Sequence, residues 1–86
     1  MQGNWSIAWL RKAAEQGQPE AQFKFALCCA DGQGMPRDRM RAYFWLLLAA
    51  TQLPTLAARA RDDLQNSLTP AQCAIAKNAA SRWKPC

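Results

Sequence analysis

Eighty-six residues suffice for one domain with a modest core, and a chain that is half apolar and one-fifth charged is too hydrophobic for intrinsic disorder. Its net charge of +5 lies wholly in residues 37–86, because Arg11, Lys12 and Lys24 balance Glu15, Glu20 and Asp31 before them. Alanine, leucine, arginine and glutamine dominate, valine is absent, and Ile7 and Ile75 are the only isoleucines, which excludes a sheet and calls for an all-α fold.

The first helix is expected from about residue 5 to 16, with Trp5, Ala8, Trp9 and Ala13 on its apolar stripe and Gly17 in the left-handed position that ends a helix. The second runs from about 19 to 30. Pro19 suits its first turn, and Ala21, Phe25 and Cys29 recur at intervals of four. Asp31-Gly-Gln-Gly is a tight turn whose glycines permit positive φ. Pro36 precedes a third helix at about 38–51, and Pro54 opens a fourth, to about Asn66, with Leu56, Ala60 and Leu64 facing inward. Thr69-Pro-Ala-Gln opens the fifth: Thr69 is the cap, Pro70 the first turn and Gln72 the partner in a capping box, with Ile75, Ala79 and Trp83 as its stripe.

These elements repeat. A shift of 36 residues lays WLRKAAEQGQPEA at 9–21 over WLLLAATQLPTLA at 45–57 with six identities in thirteen positions, among them Trp9 with Trp45, Ala13 with Ala49 and Ala14 with Ala50. A period in the mid-thirties means stacked helix pairs. Alanines at 13, 14, 49 and 50 let helices approach closely, and Trp9 and Trp45 are expected to fill the core between them.

The spaced residues Ala21, Ala26, Gly32, Gly34, Met35, Asp38, Ala42, Trp45, Ala49 and Ala50 resemble the pattern of the Sel-1-like repeat, a branch of the tetratricopeptide-like α/α solenoids. The first copy carries only the second half of that pattern, as Ser6, Trp9, Ala13, Ala14 and Gly17. Ala26 stands where the family often has glycine, Cys29 where it usually has tyrosine, and Leu53 where the first copy has Gly17. The resemblance implies a short right-handed α/α superhelix of about five antiparallel helices: a partial repeat at 5–17, a full repeat at 18–53 and closing helices at 54–86. It also implies an adaptor that holds protein partners.

No catalytic grouping stands out. Histidine is absent, Asp62 and Asp63 diverge on a helix beside Arg59 and Arg61, and the DGQG turn has neither a preceding strand nor a following Gly-Lys-Ser/Thr. Cys28, Cys29, Cys73 and Cys86 show no C-x-x-C spacing, so neither metal nor other cofactor is expected, and Cys29 reads as a small buried thiol. The longest apolar run, Ala42 to Ala50, is nine residues, against the ~20 that span a bilayer. The N-terminus has no basic start leading into an apolar stretch, and a cytoplasmic protein is expected.

Two surfaces are expected to bind. For an unidentified protein partner they are the face of the second and fourth helices, with Gln22, Phe23 and Lys24, and the basic cluster Arg37, Arg39 and Arg41. For self-association, as a homodimer, they are Trp5 and Ile7 on the first helix, and Leu47 and Leu48, which replace Arg11 and Lys12 of the first copy. Two leucines in water would forfeit about 1.5–3 kcal/mol each, so the chain's own last helices or a second chain should cover them. The alternative function is binding of nucleic acid or an anionic surface through the basic second half, including Lys77, Arg82 and Lys84.

Overall fold

The computed structural model describes residues 6–85. Among them run five helices, α1 (Ile7–Glu15), α2 (Pro19–Asp31), α3 (Arg39–Gln52), α4 (Pro54–Ser67) and α5 (Pro70–Arg82), and no strand. The fold is the all-α solenoid expected.

Local chemistry sets the helix ends. The Ser6 hydroxyl accepts the Trp9 amide at 3.1 Å and opens α1. Gly17, at φ +95°, ends it: its amide donates to the Ala14 carbonyl at 3.0 Å, and the Gln18 amide to the Ala13 carbonyl at 3.2 Å. This paired closure satisfies two carbonyls that a helix end leaves without partners. Gly32, at φ +75°, ends α2, and the loop then returns so that the Asp38 amide donates to the Cys29 carbonyl at 2.9 Å. The Asp38 carboxylate accepts the Arg41 amide at 2.9 Å and caps α3. Leu53 alone separates α3 from α4. The capping box at α5 forms as expected: the Gln72 amide donates to the Thr69 hydroxyl at 3.1 Å, and the Thr69 amide to the Gln72 side chain at 3.0 Å.

The helix α3 is the hub, with α2, α4 and α5 all packed on it, while α1 packs mainly on α2. Small residues at the contacts, including Ala14, Ala26, Ala42, Ala49 and Ala57, are fully buried or nearly so. The gaps are filled by Trp45, which meets Phe25, Phe44 and Trp83 edge-on at centroid distances of 5.8, 5.0 and 5.9 Å. A smaller cluster of Tyr43, Cys73 and Ala76 fastens α5 to α3, and the Tyr43 hydroxyl donates to Gln65 Oε1 of α4 at 3.1 Å. Beyond α5 the chain turns back. Trp83 lies on Trp45, and Pro85 lies so near Gly17 that a Cβ there would stand 3.4 Å from Pro85 Cγ.

Three apolar stripes differ from expectation. In α1 the buried residues are Leu10, Ala13 and Ala14, whereas Ala8 and Trp9 are exposed; Trp5 lies outside the described residues. In α4 Ala57 is buried and Leu56 is exposed, with Ala60 and Leu64 half-buried. In α5 Cys73 and Ala76 are buried, Ile75 and Ala79 are exposed, and Trp83 is half-buried. The cause is shared. Where helices pack at short range small side chains take the contact face, so in α4 and α5 alanine and cysteine displace Leu56 and Ile75 to one side, while in α1 Leu10 joins the alanines and Trp9 turns outward.

Candidate partner-binding surface

The triplet on α2 does not form a surface. Gln22 is 2 % exposed, and its Nε2 donates to the Ala14 carbonyl at 3.3 Å. It therefore ties α2 to the end of α1, and its expected role in partner binding is corrected. A buried amide left without its acceptor would cost about 1–3 kcal/mol, which is why it turns inward. Phe23 is half-buried against the main core, and only Lys24 is exposed. Successive helical residues point about 100° apart, so three in a row rarely share a face.

The arginines do come together. Arg37, Arg39 and Arg41 are exposed at the entry to α3. Arg37 and Arg39, with Asp38, Met40, Ser67, Leu68 and Gln72, border an open depression of about 470 Å³. A second depression of about 260 Å³ shares Asp38 and Met40 with it and continues along α3 and α5 past Arg41, Phe44, Ile75, Ala76 and Ala79. The result is one furrow, polar and basic at one end and apolar at the other. Sequence reasoning found the basic end. It missed the apolar end, because Ile75 and Ala79 were assigned to the core.

Asp38 is the one acidic residue lining the furrow, and it is already engaged. Its Oδ1 caps α3, and its Oδ2 stands 3.9 Å from Arg41 Nε. Gln72 is likewise held by the capping box.

Of the residues expected for self-association, Leu47, Leu48 and Ile7 are half-buried, and Trp5 lies outside the described residues. Leu47 is half-buried against the Tyr43–Cys73–Ala76 cluster, and Leu48 is half-buried against the main core. Leu47 thus meets residues of α5, while both leucines keep part of their surface exposed. Ile7 is half-buried too, packed on the loop at Gly34, where a Cβ would meet Ile7 Cγ1 at 2.8 Å.

Thiol chemistry is subdued. Cys28, Cys29 and Cys73 carry free thiols. Cys29 is fully buried, and that burial pushes its thiol from near 9 up to about 11, opposed by Arg41 and assisted by Asp38. Its Sγ rests 3.8 Å from Met35 Sδ, where the family pattern usually places a tyrosine. Burial also raises the Cys28 thiol, with Asp31 adding to it, and the Tyr43 hydroxyl. Among the described residues no three histidine, cysteine, aspartate or glutamate side chains gather as a metal would need.

The capped helix, the double-glycine loop and the alanine-lined hairpin fall in the order of the repeat pattern. The family model described as Sel1 repeat matches residues 6–18 and 19–52, more than half of the chain. The chain belongs to the Sel1 repeat family. The two matched segments correspond to the partial and full copies seen as α1 and as α2 with α3. Sel1 repeats are generally protein-interaction modules and are typically not catalytic. No curated protein and no solved structure matches the chain. No described helix is long and apolar enough to cross a membrane.

Proposed function

We propose that this Sel1 repeat chain is an adaptor: it holds a protein partner on a small rigid helical scaffold and performs no chemistry of its own. The observation that carries the reading is the furrow beside α3. There an exposed isoleucine and three exposed arginines are presented by capped, tightly packed helices. A rigid platform with an apolar anchor point and a charged rim is what protein recognition needs. Affinity capture from the source cell, followed by mass spectrometry, tests it. Recovery of one protein in stoichiometric amount, at physiological salt and after nuclease treatment, is the expected result. Loss of all capture on nuclease treatment would favour the basic half as a nucleic-acid surface instead.

A further inference from the structure

We infer that the furrow between α3 and α5 is a docking site for an acidic amphipathic helix, with apolar side chains seated on Met40, Phe44 and Ile75 and carboxylates facing Arg37 and Arg39. The inference rests on the adaptor reading and deepens it by assigning the surface and the chemistry of the partner.

Three observations converge. The first is exposure without a structural reason. Ile75 is 58 % exposed and sits beside Phe44 and Met40 in one depression, so it extends an apolar patch and is not a scattered surface residue. Phe44 also packs inward on Trp45, but the outward side of the patch has no sequence counterpart in the first copy. Thirty-six positions earlier, where the first copy has the equivalents of Met40 and Phe44, stand Asn4 and Ala8. The second is charge. Arg37 and Arg39 line the furrow without an ion pair among the described residues, and the one carboxylate there, Asp38, is committed to the cap of α3 and to Arg41. The electrostatic vacancy is therefore for anionic groups, and guanidinium groups pair with carboxylates in a directed, two-pronged way. The third is pitch. Met40 and Phe44 are four apart on α3, and Ile75 and Ala79 are four apart on α5. Two such rows with a small residue at the end of one leave a groove into which the ridge of a third helix fits. The groove thus reads apolar residues three or four apart, with acidic residues at the end that lies over the α2–α3 loop.

Selection of displayed random 16-residue peptides against the full chain, followed by fluorescence anisotropy on the enriched peptides, tests this. Enriched sequences should carry net negative charge and an apolar pair at i,i+3 or i,i+4. Ile75→Asp and Arg39→Glu should each weaken their binding tenfold or more, while Arg59→Glu, an equal charge reversal on α4, leaves it within twofold. Ile75 and Arg39 are exposed, so circular dichroism of both variants should match the parent. Enrichment of basic or neutral peptides, enrichment of none, or unchanged binding by Ile75→Asp would overturn the proposal. Cellular capture with Ile75→Asp separates the two readings. A partner retained in full by the variant leaves the adaptor standing and removes the furrow, whereas no partner with either chain removes both.

Discussion

Trp9 and Trp45 occupy the same place in two copies of one pattern, yet Trp9 is 46 % exposed and Trp45 is 6 % exposed. The side chain is the same, so the neighbours make the difference. Trp45 is enclosed by Phe25 from the helix before it and by Trp83 from the end of α5. Trp9, by contrast, keeps nearly half its surface in water. A repeat residue acquires its role from what stacks on it, so one side chain is core in one copy and half in water in the other.

The largest expected effect follows directly. Trp45→Ala should cost about 3–5 kcal/mol, enough to unfold most of so small a domain, because it empties the point where α2, α3 and the tail meet. Trp9→Ala should cost less than that, because Trp9 keeps nearly half its surface in water. Urea titrations followed by circular dichroism would measure both, and equal losses would mean that the two tryptophans are equally enclosed.

A second contrast lies two residues further along each copy. Arg11 and Lys12 are exposed, with Arg11 Nε 3.2 Å from Glu15 Oε2, whereas Leu47 is half-buried against the Tyr43–Cys73–Ala76 cluster and Leu48 against the main core. Writing the first copy into the second, as Leu47→Arg with Leu48→Lys, should cost about 2–4 kcal/mol, since two buried contacts are replaced by charges that must reach water along their stems. The near-ultraviolet signal of Trp45 and Trp83 should fall with it, because α5 loses its seat on α3. A variant that keeps that signal would show that α5 is held by the Tyr43 cluster and the tail alone.

Much of this was legible beforehand. Several helix ends lie where Gly17, Pro19, Pro54 or Thr69 announces a cap or a stop, because those signals are local, whereas Ser6 was read inside the first helix and instead caps it. The Leu-Leu exchange also announced a covering element. The inward faces of α1, α4 and α5 were legible only in part: Ala13, Ala60, Leu64 and Trp83 do pack inward. Leu56 and Ile75 are the obvious apolar candidates by periodicity, but Ala57 and Ala76 are the residues the neighbours touch. Which row faces inward depends on how α4 and α5 lean on α3, and no residue within those helices encodes that angle by itself. The furrow was half legible for the same reason. Arg37, Arg39 and Arg41 are adjacent in sequence, whereas Ile75 reaches them only through the α3–α5 packing.

Buried acids supply a smaller, pH-dependent contrast. They lie on the closed side of the molecule, where Cys29 of α2 and Tyr43 of α3 are fully buried. The thiol of Cys29 is neutral when protonated, and folding raises its pKa from near 9 to about 11, so the native state holds the proton longer than the unfolded chain does. Its contribution to stability is complete below pH 9 and is lost as pH climbs towards 11, by on the order of 1–3 kcal/mol. Tyr43 is raised by burial as well and acts in the same direction. Urea midpoints should therefore decline over that window, and Cys29→Ala should flatten the decline even though it lowers stability at neutral pH. A parent chain whose midpoint stays level to pH 11 would show that the thiol is open to water.

The smallest effect on stability is expected on α1, from the reverse transplant of Arg11→Leu with Lys12→Leu. It removes one solvent-exposed ion pair, worth a few tenths of a kcal/mol, and leaves two leucines where α5 has no equivalent. Folding free energy should stay within about 0.5 kcal/mol of the parent, because nothing in the described fold contacts those positions strongly enough to gain or lose. The consequence should instead appear between molecules. With Trp9 already exposed nearby, the added leucines enlarge an apolar patch, and light scattering should record a rise in mass with concentration that the parent shows less strongly. A variant that gains stability and remains monomeric would mean that the tail, which already reaches Gly17 through Pro85, extends its cover to α1. The first copy would then be closed by the same segment that closes the second.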